Sequence, residues 1–410
     1  MKRREFIKYG AYGVTVVAFG SMVTIPRFLK GGAARLPNGG VLTLSMKEVL
    51  FEMVDKRPVY HWAFADIMNG PRIPGVMLMA REGETINIEL INEMDEVHAF
   101  AIPGVVDSGP LAAGESRTLT FVAPRGGTYL YFDPLNAPVN RVMGLYGAMV
   151  VLPATGNTPY SDPTPLVQGL FDALGDQGTM PDFFPGDAWD PARSWVWLFA
   201  AVDHKKNEMV QNLTAGQVID PEFFLDGYLP QYFLLTGKSG FFSSHDPEIF
   251  PHGNIGQPAI IRTLNAGLAT HSPHIHGTHL AQIAVDGMVA ENPFSLDTWS
   301  LPPLGRVDLF HPFVAPLDAF PWPPSNILEF PMPFTMHCHT EMSQTAAGGN
   351  YPQGAVTDWE IRSPQVGGPE ASEEEFPSFR GMDPALFKRT RSAGIGSSGH
   401  VAKESGHGSH

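Results

Sequence analysis

Two short segments in the C-terminal third of the chain decide its fold: HSPHIHG at residues 271–277 and HCH at residues 337–339. Together they hold five histidines and the chain's only cysteine, Cys338. Imidazole and thiolate ligands suit copper or zinc, whereas calcium and magnesium prefer cages of oxygen atoms. In an extended strand His337 and His339 face one way and Cys338 the other. One strand can therefore serve two metal sites, one on each face.

Histidines next to prolines are also common as ordinary core or loop residues. For a single HxH pair that interpretation would be the better one. Here there are two clusters, and a cysteine stands between two of the histidines. His274 and His276 also share the two-residue spacing of His337 and His339, so each pair points to one side of its strand. The combination favours metal binding.

The pattern H-x-P-H-x-H-G followed by H-C-H resembles the last cupredoxin domain of the multicopper oxidases. The resemblance extends from about residue 40 to 365, with an unmatched stretch near 155–190. It implies an all-β fold of two Greek-key cupredoxin sandwich domains, at residues 40–153 and 192–365. Residues 154–191 are predicted to form a linker or insertion with a short helix near 166–174. Residues 366–410, which lose periodicity and end in a Gly/Ser-rich stretch, are predicted to form a disordered tail.

The resemblance also implies a set of metal ligands. His271 and Cys338 occupy the positions of type 1 (blue) copper ligands, and Met342 is a candidate for the weak third ligand. The remaining histidines occupy positions that in the family bind the trinuclear cluster where dioxygen is reduced. These are His98 and His274 at type 2 positions and His276, His337 and His339 at type 3 positions.

The sequence departs from the family in its first domain and after Cys338. Where the family has two HxH pairs, this chain has HAF at 98–100 and FDP at 132–134, so three of four expected histidines are missing. The family also places a type 1 histidine five residues after the cysteine, where this chain has Ser343. His279 or His311 could complete that site, and the spacing leaves this open.

Strand patterns support an all-β protein. Residues 85–92 alternate between apolar and polar side chains, which is typical of a half-buried strand. The chain has 43 glycines and 38 prolines, and such turn-rich composition suits many short strands. A strand followed by an asparagine precedes the histidine region in both halves. This order predicts an internal duplication of about one domain's length.

Charge and cysteine usage narrow the function. The formal net charge of −15 argues against nucleic acid as a partner and would attract a cationic electron donor or metal ion. A single cysteine excludes an internal disulfide, so Cys338 is a free thiol or a metal ligand.

The first residues resemble an export signal. Twin arginines at 3 and 4 precede an apolar run at residues 10–25. We expect residues 1–34 to be a signal peptide recognised by the twin-arginine translocase, which carries folded proteins, and the mature protein to be periplasmic. An uncleaved membrane anchor is the alternative that the sequence leaves open.

These observations predict a copper-binding oxidoreductase that removes electrons one at a time from a reduced metal ion or a small organic donor. The resemblance to multicopper oxidases suggests dioxygen as the electron acceptor. The survival of Cys338 between two histidines favours this interpretation. The missing first-domain ligands favour the alternative, a copper-binding carrier or a non-catalytic cupredoxin scaffold, and zinc could occupy a mononuclear site. Two-domain members of the family are usually ring-shaped trimers, so a homotrimer is a further expectation.

Overall fold

The computed structural model describes residues 34–35, 40–66, 70–175, 187–314 and 330–366, all within one compact unit. The predicted export signal and tail lie almost entirely outside these residues. The strands are β1 (Ala34–Arg35), β2 (Val41–Glu52), β3 (Pro58–Asp66), β4 (Gly70–Pro71), β5 (Leu78–Arg81), β6 (Thr85–Asn92), β7 (Ala101–Ile102), β8 (Val106–Asp107), β9 (Ser116–Val122), β10 (Gly127–Phe132), β11 (Tyr146–Leu152), β12 (Ser194–Val202), β13 (Tyr232–Leu235), β14 (His252–Ile255), β15 (Ala259–Asn265), β16 (Pro273–Ile275), β17 (Leu280–Val285), β18 (Met288–Leu296), β19 (Arg306–His311), β20 (Met332–Cys338) and β21 (Val356–Val366). The helices are α1 (Val139–Val142), α2 (Pro165–Asp172), α3 (His204–Gln211), α4 (Pro221–Leu225) and α5 (Phe241–Ser244), with a 3-10 helix at Glu341–Gln344. None of the helices in these ranges is long and apolar enough to cross a membrane.

Two sheets come from residues 34–152 and two from residues 194–366. In the first half the strand orders are β4-β3-β2-β6-β9 and β1-β5-β11-β10-β7-β8. In the second half they are β13-β12-β15-β19-β17-β18 and β14-β21-β20-β16. The paired sheets bury their apolar faces against each other, with Ile88 and Met149 in the first core and Trp197 and Trp359 in the second. The chain thus forms two β-sandwiches, which confirms the predicted fold class.

The two sandwiches repeat one topology. The order β3-β2-β6-β9 corresponds to β13-β12-β15-β19, and β5-β11-β10-β7 corresponds to β14-β21-β20-β16. Parallel neighbours correspond as well, because β2–β6 and β5–β11 match β12–β15 and β14–β21. The internal duplication is therefore present, and equivalent positions of the two halves can be compared.

The strand and the helix predicted from local sequence patterns are present as β6 and α2. β6 buries Ile86, Ile88 and Leu90 and leaves the residues between them partly exposed, because side chains alternate along a strand. The helix expected near 166–174 is α2, and the Thr164 hydroxyl caps its first turn.

An apolar layer and a polar network join the two sandwiches. In the apolar layer Tyr146 and Val150 of β11 share a buried cluster with Val196 and Leu198 of β12. The two halves therefore pack against each other through one shared apolar cluster.

Asp308 of β19 is the centre of the polar network. One carboxylate oxygen accepts a hydrogen bond from the Thr128 hydroxyl at 2.7 Å. The other accepts from the Tyr160 hydroxyl at 2.9 Å and from Nη1 of Arg262 at 3.2 Å. All four side chains are buried. Since Thr128 lies in the first sandwich and Tyr160 in the connecting segment, one carboxylate ties three parts of the chain together.

Replacing Asp308 with Asn should destabilise the fold strongly, because the buried Arg262 guanidinium loses its anionic partner. Removal of one member of a buried ion pair costs about 3–5 kcal/mol. Tyr160→Phe removes a single hydrogen bond and is expected to cost about 1 kcal/mol. Urea unfolding measures both effects, and an unchanged midpoint for Asp308→Asn would contradict this role.

Candidate metal centre

Side chains alternate along β20 as the sequence predicts. Met336 and Cys338 point into the core of the second sandwich and are fully buried. His337 is partly buried on the opposite face, and His339, just after the strand, is exposed. The thiol and its flanking histidines therefore serve opposite sides of one strand.

The inner face joins Cys338 with His271. His271 Nδ1 lies 3.3 Å from Cys338 Sγ, and both side chains are buried. An ion about 2.0 Å from nitrogen and about 2.3 Å from sulfur would hold these atoms roughly 3.5 Å apart in tetrahedral geometry, so the pair fits copper or zinc. Burial lowers the pKa of His271 to about 4, which keeps the imidazole neutral at pH 7, as a metal ligand must be.

Asn265 fixes the loop that carries His271. Its Nδ2 donates to the carbonyl oxygens of Ala269 at 2.8 Å and Leu301 at 2.9 Å, and its Oδ1 accepts from Gly267 N at 2.8 Å. Leu301 also exchanges two backbone hydrogen bonds with His271, at 3.0 and 2.9 Å. The buried Asn265 amide thus fixes both the chain that precedes His271 and the segment that pairs with it. We call this set of hydrogen bonds the asparagine clasp.

Four histidines, His274, His276, His337 and His339, converge on the outer face, and we call them the outer histidines. His274 of β16 pairs in register with His337 of β20, and His276 Nε2 lies 3.0 Å from His337 Nε2. One ligand nitrogen from each of His274, His337 and His339 lies within 4.8 Å of the other two. The arrangement suits one or more ions held by imidazole ligands.

Hydrogen bonds and burial prepare the outer histidines for a metal. His274 Nδ1 faces two acceptors, the carbonyl oxygen of Asp297 at 3.1 Å and the hydroxyl of Thr298 at 2.8 Å. This leaves the Nε2 lone pair for a metal, as is usual for metal-binding histidines. Burial lowers the pKa of both His276 and His337, and the neighbouring imidazoles lower it further. Both effects favour the neutral form of these side chains.

Other candidates for the inner site lie differently. Met342 is 52% exposed on the 3-10 helix, so its role as an axial ligand stays a prediction. His279 is exposed, and the buried His311 uses its Nδ1 to accept a hydrogen bond from Phe313 N at 2.9 Å. Within the described residues, His271 offers the one imidazole at hydrogen-bonding distance from the Cys338 sulfur.

The asparagine clasp occurs a second time, around His98 in the first sandwich. Asn92 Nδ2 donates to three carbonyl oxygens, those of Glu96 at 2.6 Å, Leu111 at 3.0 Å and Ala112 at 3.2 Å. Leu111 exchanges backbone hydrogen bonds with His98 at 3.1 and 2.8 Å. In both halves the asparagine precedes the histidine by six residues. His98 therefore corresponds to His271, the inner ligand, and not to His274 as the motif comparison implied.

The same comparison changes the expected ligand set of the first sandwich. Asp133 N donates to Leu145 O as Cys338 N donates to Ala355 O, so Asp133 takes the place of the cysteine. Apolar residues take the places of the outer histidines: Ala101, Pro103, Phe132 and Pro134. The type 2 role expected for His98 is thus corrected, because none of the four equivalent positions carries an imidazole.

Comparison with known proteins agrees with this architecture. Residues 65–156 match the multicopper oxidase family, and no curated protein matches the chain. The structure of a blue copper oxidase from Nitrosomonas europaea is 18% identical, with 88% of this chain and 97% of that chain covered and a TM-score of 0.57. A copper-containing nitrite reductase from Thermus scotoductus is also 18% identical, with 89% and 76% covered and a TM-score of 0.53. Identities this low show a shared fold.

Two β-sandwiches of the cupredoxin fold thus carry a cysteine–histidine pair and a histidine cluster on opposite faces of one strand. The multicopper oxidase family match over residues 65–156, together with this fold, supports the predicted membership of the multicopper oxidase superfamily. The same family match supports copper as the metal and an oxidoreductase as the class of protein.

Gly277 controls the position of the outer histidines. Its φ is +76°, and an added Cβ would meet Cδ1 of Phe334 at 2.3 Å. Phe334 stacks on Trp359, whose Nε1 donates to the carbonyl oxygen of His276 at 2.8 Å. Gly277→Ala should therefore destabilise the protein and displace His276, which weakens copper binding by the outer histidines.

Gly348 provides a matched control, because its φ is +80° and an added Cβ would meet no atom within 4 Å. Gly348→Ala should show only the conformational cost of this φ, about 1–2 kcal/mol. Thermal unfolding and a copper titration of both variants make the comparison. Equal losses in the two variants would mean that contact with Phe334 does not position the cluster.

Proposed function

We propose that the protein is an exported copper oxidoreductase that takes electrons one at a time from a reduced metal ion or a small organic donor. The observation that carries the proposal is the division of β20 into two faces. Cys338 and His271 meet on the inner face, and the outer histidines meet on the other, so a single residue's backbone separates the two sites. We propose dioxygen as the final acceptor because of the resemblance to multicopper oxidases.

The residues have distinct tasks in this proposal. His271 and Cys338 would hold a copper ion on the inner face, where burial excludes water and keeps the imidazole neutral. Copper, when bound, supplies one-electron exchange between its two common oxidation states. The outer histidines would hold further metal at a partly exposed surface, where His276 and His339 leave room for a small ligand.

The alternative function is a copper-binding carrier or a scaffold without turnover. The apolar counterparts of the outer histidines in the first sandwich favour it, because a trinuclear cluster of the usual composition needs imidazoles from both domains. Under this alternative the outer histidines hold one copper or zinc ion and no donor is oxidised.

The strongly negative charge of the chain supports a cationic donor or a metal ion. The twin arginines near the N-terminus support export by the twin-arginine route to the periplasm. Export of the folded protein would allow copper to be inserted before or after translocation.

Two substitutions separate the inner from the outer site. Cys338→Ser should abolish an intense thiolate-to-copper absorption band while copper at the outer histidines remains, because the serine hydroxyl is a poor copper ligand. His337→Ala should keep that band and lose copper from the outer face. Metal counting, visible absorption and copper electron paramagnetic resonance measure both effects.

Turnover distinguishes the two functions. If the protein is an oxidoreductase, both variants should lose the ability to oxidise a reduced metal ion or a phenolic donor. Oxygen consumption measures this activity. If the copper-loaded wild-type protein consumes no oxygen and oxidises no donor, while retaining outer copper, the carrier is the better interpretation. Absence of any bound copper after loading would contradict both functions.

We also propose that the protein forms a homotrimer around the outer histidines. The exposure of His276 and His339 supports this, since a neighbouring chain could close the open side of the cluster. His98 is fully buried in its own chain, so its imidazole is not available to bind metal in the histidine cluster of a neighbouring chain. Sedimentation velocity tests the idea: a trimer is expected, and a monomer at micromolar concentration would rule it out.

A further inference from the structure

We infer that His98, Asp133 and Asn140 form a second metal site, in the first sandwich, which takes a divalent copper or zinc ion through nitrogen and oxygen ligands. The site is the counterpart of the His271–Cys338 pair, with a carboxylate in place of the thiolate. It uses none of the residues that carry the proposed function.

Three groups that can bind a metal converge in this site. His98 Nδ1 lies 2.7 Å from Asp133 Oδ2, Asn140 Nδ2 lies 2.8 Å from the same oxygen, and Asn140 Nδ2 lies 3.4 Å from His98 Nδ1. Ligands about 2.1 Å from a shared ion lie roughly 3.4 Å apart, so shifts below about 1 Å complete the geometry. Turning the Asn140 amide over presents its oxygen, which is the atom that binds metal.

The second nitrogen of His98 supports the same assignment. His98 Nε2 is buried, has no hydrogen-bond partner within the described residues and lies 4.0 Å from Oε2 of Glu96. In the metal-free protein Nδ1–H of His98 donates to Asp133; with an ion bound, the proton would lie on Nε2, facing this carboxylate, and the Nδ1 lone pair would be free for the ion. Histidines that bind metals commonly direct their other ring nitrogen towards a carboxylate in this way.

The charge of Asp133 gives a further reason for a cation. Its side chain is fully buried, and the hydrogen bonds that it accepts in the described structure come from His98, Asn140 and the backbone N–H of Leu135 at 2.8 Å. None of these donors carries a permanent charge. A buried carboxylate is costly without an opposite charge, and a bound cation would supply that charge.

The ligand chemistry predicts how the site differs from its counterpart. Imidazole, carboxylate and amide oxygen suit divalent copper or zinc, and without a thiolate they give no intense absorption band. The ligands are as deeply buried as His271 and Cys338, so metal would enter both sites by comparable local opening.

The test uses the full chain with Cys338→Ser, His274→Ala and His337→Ala, which removes ligands from both faces of β20. After loading with divalent copper and dialysis against a weak chelator, one tightly held copper per chain with a non-blue paramagnetic signal is expected. Adding Asp133→Asn should weaken the affinity for this copper by more than about 100-fold, because even the hydrogen-bond partners of metal ligands change metal affinity by about 10–100-fold. Asp203→Asn, at a buried carboxylate that caps α3, is the matched control and should leave it bound.

Asp133→Cys in the same three-residue background gives an independent readout if Asp133→Asn fails to fold. It should create a thiolate-to-copper band, because the new sulfur would lie beside His98 Nδ1. The site is overturned if the folded background variant holds no copper, if Asp133→Asn leaves copper binding unchanged, or if Asp133→Cys gives no such band. In those cases His98, Asp133 and Asn140 form a hydrogen-bond network and no metal site. Since Cys338 and two outer histidines are absent throughout, none of these results bears on the proposed function.

Discussion

The alternation of side chains along β20 is the constraint on which the proposed metal chemistry of this protein depends. A strand can place Cys338 in a closed core and His337 at an open surface only because neighbouring side chains point to opposite faces. The core side is dry and keeps His271 neutral, which suits a thiolate site. The surface side is accessible, which suits exchange with small ligands. A shift of the strand by one residue would put the thiol outside and the histidines into the apolar core, so the packing of Met336 and Cys338 also fixes the arrangement of both sites.

A second constraint is the buried asparagine that clasps each inner histidine. Asn92 and Asn265 make corresponding hydrogen bonds in the two sandwiches, although the residues around them have diverged. A buried amide that loses its partners is costly, and this explains why the clasp persists in a half that has lost the imidazoles equivalent to the outer histidines. The clasp holds His98 beside Asp133 with the same backbone geometry that holds His271 beside Cys338.

The sequence predicts much of the fold and the inner and outer sets of histidines, because these depend on local periodicity. Two-residue spacing determines which side chains share a face of a strand, and the β6 pattern determines which residues are buried. The sequence does not determine the positions that depend on long-range pairing. HAF at 98–100 looks like a remnant of an HxH pair, whereas the hydrogen bond from Asn92 to Leu111 and the pairing of Leu111 with His98 show that His98 is the inner histidine. The six-residue spacing to Asn92 is a usable signal, since Asn265 stands at the same distance from His271. The contacts among His98, Asp133 and Asn140 were not predictable, because they join a loop, a strand end and a helix.

The polar groups around β20 are arranged as the ligands of a metal would be. His276 Nε2 and His337 Nε2 face each other at 3.0 Å, where one neutral imidazole donates its N–H to the lone pair of the other, and a bound ion would take both lone pairs. Burial and the neighbouring imidazoles lower the pKa of both groups, which favours the neutral form that a metal ligand requires. The thiol of Cys338 is buried against the neutral imidazole of His271. This set of neutral ligands is assembled only in the folded chain, so metal binding would add its free energy to that of folding. Under the proposed function, folding stability and metal binding would therefore be coupled at this strand.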